Sequence, residues 1–171
     1  YKVPFGFLGE IVDKILGGRL VKQRIDRMFK AREIRLQRDL QAHEKYRSIP
    51  RKKILIAGSS GLIGTQMVAF LDTGGHDVYR LVRRKVENDF EIEWDPDNGV
   101  INAKEIEGFD AVIHLGGEGI GDKRWSKKRK EKILTSRTGS TALLAKTLSQ
   151  IDDPPEVFMV ASAVGSVSYT H

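Results

Sequence analysis

The segment KILIAGSSGLIG, residues 53–64, decides the fold of this chain. Its first five residues are a short apolar run rich in Ile and Leu, which predicts a buried β-strand. Three glycines follow, each three positions from the next, and the apolar residues from Leu62 to Leu71 have helical spacing. A glycine loop between a strand and a helix suits a phosphate, because the first N–H groups of the helix are unpaired and its dipole is positive at that end. The segment therefore predicts a strand, a phosphate-binding loop and a helix.

The three glycines have separate roles in a dinucleotide-binding loop. Gly58 permits the tight turn, Gly61 lets the backbone approach a pyrophosphate, and Gly64 allows the helix to pack closely on the strand. The spacing is GxxGxxG rather than GxGxxG, and an ordinary tight turn is the alternative. A second strand, Asp77–Val82, follows in the order that a dinucleotide-binding unit of about thirty residues requires. We therefore predict that this loop binds a dinucleotide.

The end of the second strand predicts which dinucleotide is bound. This position usually carries an acid when the ribose 2′-hydroxyl is bound, and an Arg nearby when a 2′-phosphate is bound. Here the chain reads Leu-Val-Arg-Arg-Lys over residues 81–85, with no acid before Glu87. The guanidinium groups of Arg83 and Arg84 can fork onto phosphate oxygens. NADP(H) is therefore predicted over NAD(H), and a solvated basic turn is the alternative.

Strands and helices alternate along the remainder of the chain. Further strands are predicted over residues 91–94, 100–101, 110–115 and 157–161, with helices over 126–134 and 138–148. This order predicts an α/β fold, a Rossmann-type parallel sheet with flanking helices.

The first fifty residues have a different pattern. A short helix over residues 10–16 is expected to stop at Gly17-Gly18. A long amphipathic helix follows from Arg19 to about Arg47, and it ends before Pro50 because the residue before a proline disfavours helix. We place a domain boundary there, which gives a helical segment at 1–50 and a nucleotide-binding domain at 51–171.

Composition excludes several classes of function. The 40% apolar and 30% charged residues are typical of a soluble globular protein, and no stretch reaches the roughly 18 apolar residues of a membrane span. The absence of cysteine excludes a disulfide framework and a thiolate metal site. The four histidines are scattered, so no metal site is predicted.

Positive charge is concentrated near the N-terminus. Residues 1–53 carry 15 basic and 6 acidic side chains, whereas the remaining residues carry 14 and 17. The basic residues alternate with apolar ones at helical spacing, which favours a solvated or protein-facing helix. Nucleic-acid binding is not predicted, because the segment lacks the aromatic platforms of single-strand binders.

Residues 53–165 resemble the N-terminal half of an extended short-chain dehydrogenase/reductase, and more narrowly its epimerase-like branch with uncertain substrate. The segments that carry the resemblance are Gly58–Gly64, Thr73–Val78, Trp94–Pro96, Asp110–Glu118, Asp122–Trp125, Ser136-Arg137 and Ala161–Gly165. Residues 1–50 are similar to the C-terminal helix of a START-like, polyketide-cyclase type domain that precedes this module in fused family members.

The resemblance implies a set of site residues. The implied cofactor contacts are Gly58, Ser59, Ser60, Gly61, Leu62, Ile63, Gly64, Arg83, Arg84, Leu115, Gly116, Gly117 and Arg137. For Arg137 a surface ion pair is an equal alternative. Ser162, at the end of the last strand, is the implied catalytic residue: it would polarise a carbonyl while a Tyr transfers the proton. The alternative for Ser162 is a hydroxyl that caps the strand.

Two functions remain open from the sequence. The first is an NADP(H)-dependent oxidoreductase or epimerase-like protein whose substrate is unknown. Tyr169 would need a Lys at position 173 to complete a Tyr-x-x-x-Lys motif, so a longer native protein with a proton-relay Tyr would favour this function, and a stop at His171 would favour the second. The second is a catalytically silent structural subunit, with a protein partner on helix 19–47 or on the open sheet edge. The expected location is the cytoplasm, or the interior of a plastid or mitochondrion.

Overall fold

The computed structural model describes residues 6–121 and 124–162. It separates into two units, Tyr1–Ile49 and Pro50–His171. Sequence predictions that fall on residues 1–5, 122–123 and 163–171, including those on Tyr169 and on most of the Ala161–Gly165 segment, lie outside the described residues.

Over its described residues, 6–49, the first unit contains one helix, α1 (Gly6–Lys45). The expected stop at Gly17-Gly18 is wrong, because a glycine costs a helix only about 1 kcal/mol relative to alanine, far less than a proline. Apolar side chains remain exposed along α1: Leu20, Val21, Ile25, Met28, Phe29, Leu36 and Leu40. Within the described part of the chain, no helix is both long and apolar enough to cross a bilayer.

The second unit is built on a six-stranded sheet. Its strands are β1 (Lys53–Ala57), β2 (Asp77–Val82), β3 (Glu91–Asp95), β4 (Val100–Ile101), β5 (Ala111–His114) and β6 (Val157–Val160). They lie in the order β4-β3-β2-β1-β5-β6, and every neighbouring pair is parallel except β3 with β4. The helices are α2 (Leu62–Thr73) and α3 (Lys127–Leu148), with a short 3-10 turn at Ala103–Glu105. This confirms the predicted Rossmann-type α/β fold.

Strand β1 lies at the centre and is buried on both faces. Leu55 packs in one core cluster with Leu144 of α3, and Ile56 packs in a second cluster with Val68 of α2. Alternate residues of a strand point to opposite faces, so a strand covered on both sides has to be apolar throughout. This explains why β1 is apolar throughout its buried part, residues 54–57.

Helix α3 is continuous, so the expected break between residues 134 and 138 is wrong. Polar residues made that segment look like a loop. Their hydroxyl groups instead donate to carbonyls of the preceding turn: Thr135 Oγ1 to Glu131 O at 2.9 Å, and Thr138 Oγ1 to Leu134 O at 3.1 Å. Hydroxyls that bond in this way are compatible with an uninterrupted helix.

One carboxylate joins β1 to β5 at the amino end of the sheet. Asp110 accepts hydrogen bonds from Lys52 Nζ and from the backbone N–H of Lys53, both at 2.7 Å. These bonds hold the pKa of Asp110 below its ordinary value, and the bond from Lys52 has the larger effect. A carboxyl group with a lowered pKa stabilises the fold fully above its unfolded pKa, and this stabilisation is lost as pH falls through the folded value.

Asp110→Asn should therefore lower the free energy of unfolding at pH 7 by about 1 kcal/mol. The difference from the parent chain should shrink below about pH 4, near the unfolded pKa of aspartate. Urea denaturation at pH 7 and pH 3 measures this, with Asp152→Asn in an exposed turn as the control. An equal difference at both pH values would contradict the assignment.

Candidate functional site

A cleft of about 770 Å³ opens at the carboxyl ends of the central strands. It lies where the strand order reverses. From β1 the chain builds β2, β3 and β4 on one side, and it then returns to add β5 on the other side of β1. Open α/β sheets place their ligands at such a point. The lining residues are Gly58, Ser59, Ser60, Gly61, Thr65, Arg80, Leu81, Val82, Arg83, Arg84, Glu91, Trp94, His114, Leu115, Gly116, Gly117 and Glu118.

Gly58 is required at the start of the loop for two reasons. Its φ of +81° lies in the left-handed region that favours glycine. A Cβ at this position would also lie 2.6 Å from the backbone N of Gly116 and 2.7 Å from the carbonyl carbon of Leu115. The loop after β1 and the loop after β5 therefore meet backbone to backbone at Gly58.

The other two glycines of the loop differ in what surrounds them. A Cβ at Gly64 would overlap the carbonyl oxygen of Gly58 and lie 2.7 Å from Ser59 Cα, so this glycine serves packing. At Gly61 the nearest atom is Gly58 O at 3.3 Å. Gly61 is exposed and precedes α2 without a side-chain cap, which leaves the first N–H groups of the helix available to a ligand.

Arg84 is held by a carboxylate. Its two terminal nitrogens donate to the two oxygens of Glu91, Nη2 to Oε1 at 2.7 Å and Nη1 to Oε2 at 2.9 Å. The Glu91 side chain is buried, and it also accepts from the backbone N–H of Glu87 at 3.0 Å. The Arg84 bond, followed by the Glu87 bond, lowers the pKa of Glu91. Glu91 is therefore charged at neutral pH, and Arg84 is its partner.

Arg83 has a looser environment than Arg84. Its side chain is 50% exposed, and its Nη1 lies 3.4 Å from Oδ2 of Asp97, which is 71% exposed. Exposed ion pairs of this kind contribute about 1 kcal/mol or less. Arg83 therefore offers a guanidinium group at the cleft that can exchange its partner.

His114 forms part of the inner wall of the cleft and is 2% exposed. Its Nε2 lies 2.8 Å from Oγ of Ser140, and the backbone N–H of Gly116 is directed at its Nδ1 at 3.4 Å. Burial, with a smaller contribution from the charge of Arg83, lowers its pKa. A neutral imidazole with the proton on Nε2 satisfies these contacts, and it ties the β5 loop to α3.

Arg137 lies behind the β5 loop and does not line the cleft. Its Nη1 donates to the carbonyl oxygens of Glu118 at 3.2 Å and Ile133 at 3.0 Å. A Cβ on Gly117 would lie 3.0 Å from its Cζ. Arg137 thus supports the loop, and the surface ion pair considered from the sequence is not among the ion pairs of the described residues.

The cleft brings together nine of the residues predicted from the sequence. Those that do not line it are Leu62, Ile63, Gly64, Arg137 and Ser162. Ser162 is exposed and lies two positions beyond β6. Sequence reasoning did not assign the other eight lining residues to the site: Thr65, Arg80, Leu81, Val82, Glu91, Trp94, His114 and Glu118. No signal in the sequence distinguished Glu91 from Glu93 and Asp95, the other acidic residues of β3. Within the described residues no cluster of potential metal ligands occurs.

Comparisons with known proteins agree with this architecture. The model of the NAD dependent epimerase/dehydratase family matches residues 54–168. An epimerase family protein of Mycobacterium leprae is 38% identical over 112 residues, which are 66% of this chain and 36% of that protein.

Two solved structures are also similar. The nucleoside-diphosphate sugar epimerase of Corynebacterium glutamicum has a TM-score of 0.66 and 31% identity, over 81% of this chain and 29% of that one. Human epimerase family protein SDR39U1, solved with NADPH, has a TM-score of 0.56 and 29% identity, over 66% of this chain and 37% of that one.

The chain belongs to the NAD dependent epimerase/dehydratase family, within the extended short-chain dehydrogenases/reductases. It spans a little over a third of the length of the curated relatives that it matches.

Gly64→Ala should lower the free energy of unfolding by about 1–3 kcal/mol, because the added methyl group overpacks the contact with Gly58. Gly139→Ala is the matched control: it lies within α3 with open space around its Cα, and should stabilise the chain by up to about 1 kcal/mol. Thermal or urea unfolding compares the two. Equal effects would show that Gly64 does not serve close packing.

Proposed function

We propose that residues 51–171 form the NADP(H)-binding part of an NADP(H)-dependent oxidoreductase or epimerase-like protein whose substrate is unknown. The observation that carries the proposal is Arg83, a half-exposed guanidinium group at the end of β2, in the same cleft as the glycine loop. The NADPH held by human SDR39U1 supports it.

The described residues fit the adenosine end of this cofactor. The uncapped start of α2 would take the pyrophosphate, and the space at Gly61 would allow its close approach. Arg83 would take the 2′-phosphate, while Leu115, Gly116 and Gly117 would lie beside the ribose. Arg84 would act as a positioning residue, because Glu91 already occupies both arms of its fork.

The cofactor supplies hydride transfer when it is bound. Ser162 lies beyond the carboxyl end of β6. Because β6 is parallel to β5, this is the same end of the sheet at which the cleft opens. We propose that its hydroxyl group polarises a substrate carbonyl. Arg137 is proposed to position the β5 loop through the carbonyl oxygens of Glu118 and Ile133.

For α1 we propose the closing helix of a START-like domain. The match to the Corynebacterium structure covers 81% of this chain, whereas the family model begins at residue 54 and ends three residues before His171. The additional coverage therefore includes part of the N-terminal unit. The exposed apolar residues of α1 are those that such a domain, or another protein partner, would cover.

A cytoplasmic or organellar location remains a prediction. The reported relatives give no support to a silent structural subunit.

The chain should bind NADPH more tightly than NADH, and Gly61→Val should weaken binding of both by tenfold or more, because the side chain would occupy the place of the pyrophosphate. Fluorescence of Trp94, which lines the cleft, reports binding once the exposed Trp125 is replaced by Phe. A Cβ at Gly61 would lie 3.3 Å from Gly58 O, and its φ of −74° is accessible to any residue, so a melting curve of the variant serves as the control for folding. Unchanged affinity in a folded Gly61→Val variant would show that the loop is not the site.

Replacing each of the two arginines in turn should have different effects on NADPH affinity and on thermal stability. Arg83→Ser should weaken NADPH binding about 10- to 100-fold, the loss expected for charge-assisted hydrogen bonds, and leave NADH binding within about twofold. Arg84→Ser should mainly lower thermal stability, because it leaves the buried Glu91 carboxylate unpaired. Titrations and melting curves of both variants test this. A larger loss of NADPH affinity in a folded Arg84→Ser variant would reverse the two roles.

A further inference from the structure

An acidic side chain faces the proposed phosphate-binding arginine. Oδ2 of Asp97 lies 3.4 Å from Nη1 of Arg83. Asp97 belongs to the turn between β3 and β4, which stands beyond the end of β2 because β3 pairs in parallel with β2. A carboxylate therefore occupies the neighbourhood in which a 2′-phosphate would have to bind.

The turn that carries Asp97 is held by its own hydrogen bonds. Oδ1 of Asp95 accepts from the backbone N–H groups of Asp97 at 3.1 Å and Asn98 at 3.2 Å, and Oδ2 accepts from Asn98 Nδ2 at 2.6 Å. Gly99 completes the turn with a φ of +69°. These bonds fix the backbone of Asp97, while its own carboxylate takes no part in them and is left to face Arg83.

Arg83 can release its carboxylate partner at a small cost in stability, whereas Arg84 can release its partner only at a large cost. Releasing Arg84 would leave the buried carboxylate of Glu91 without its guanidinium group, which is strongly destabilising. Releasing Arg83 exposes only Asp97, whose side chain is already 71% exposed. The ion pair of Arg83 is therefore the one that an incoming anion would displace.

We propose that Asp97 is a specificity-determining residue, which competes with the 2′-phosphate of the cofactor for Arg83. The inference rests on the proposed NADP(H) function. Near neutral pH a phosphate monoester carries a charge close to −2. The phosphate therefore displaces the singly charged Asp97 carboxylate from Arg83, and the nearby Asp97 repels the phosphate. NADH has no 2′-phosphate, and Asp97 affects its binding little. Asp97 thus reduces the preference for NADP(H) that Arg83 creates.

Asp97→Asn tests the proposal with adenosine 2′,5′-bisphosphate and adenosine 5′-monophosphate, which carry the adenosine end alone. The variant should bind the bisphosphate about three- to tenfold more tightly and the monophosphate within twofold of the parent chain. The gain should fall in 0.5 M salt, because exposed charges are screened. Asp72→Asn, near the far end of α2, is the matched control for net charge and should change neither affinity.

A double variant separates competition from simple repulsion. In an Arg83→Ser background, Asp97→Asn should give a smaller gain in bisphosphate affinity than in the parent chain. An equal gain would overturn competition for Arg83, and no gain in either background would overturn the proposal altogether. If Asp97→Asn melts at a lower temperature than the parent chain, Asp97→Ser provides the same comparison.

Failure of the proposed function gives a different pattern. If the parent chain does not bind the bisphosphate, or if Arg83→Ser binds it as tightly as the parent does, the NADP(H) assignment itself is wrong. If Arg83→Ser weakens binding while Asp97→Asn leaves it unchanged, the assignment stands and only the role of Asp97 is overturned.

Discussion

The structure of the second unit depends on the close approach of three backbone segments at Gly58. The loop after β1, the loop after β5 and the first turn of α2 meet there without intervening side chains, since a Cβ on Gly58 or on Gly64 would overlap neighbouring backbone atoms. This approach brings the helix N-terminus and the small residues Gly116 and Gly117 to one edge of the sheet. The cleft at the carboxyl ends of the strands is therefore a consequence of the packing of glycines. Gly61, which is exposed, lines this cleft.

Charge then distinguishes the two arginines that follow β2. Arg84 is a structural group because the Glu91 carboxylate that it neutralises is buried, and a buried charge needs its partner. Arg83 is the arginine proposed to bind the cofactor, because its partner is exposed and weakly held. The different roles proposed for these adjacent residues of the same type thus rest on the burial of their partners.

Much of this architecture follows from the sequence, because local chemistry determines it. The apolar run of β1, the spacing of Gly58, Gly61 and Gly64, and the basic end of β2 were sufficient to predict the Rossmann-type fold and nine lining residues. Long-range contacts could not be predicted. Glu91 begins β3, seven residues after Arg84, and neither segment indicates that their side chains pair. The continuity of α3 was missed because its hydroxyl groups bond within the helix, which polarity alone does not reveal.

The most direct test of the central claim is a ¹⁵N–¹H correlation spectrum of the chain titrated with adenosine 2′,5′-bisphosphate. It reports every backbone amide and so locates the ligand without relying on activity. The account predicts that the shifted amides lie in residues 58–64, 82–84 and 115–117. Shifts confined to other surfaces, such as the lysine-rich start of α3 at Lys127 and Lys128, or no shifts at saturating ligand, would contradict it.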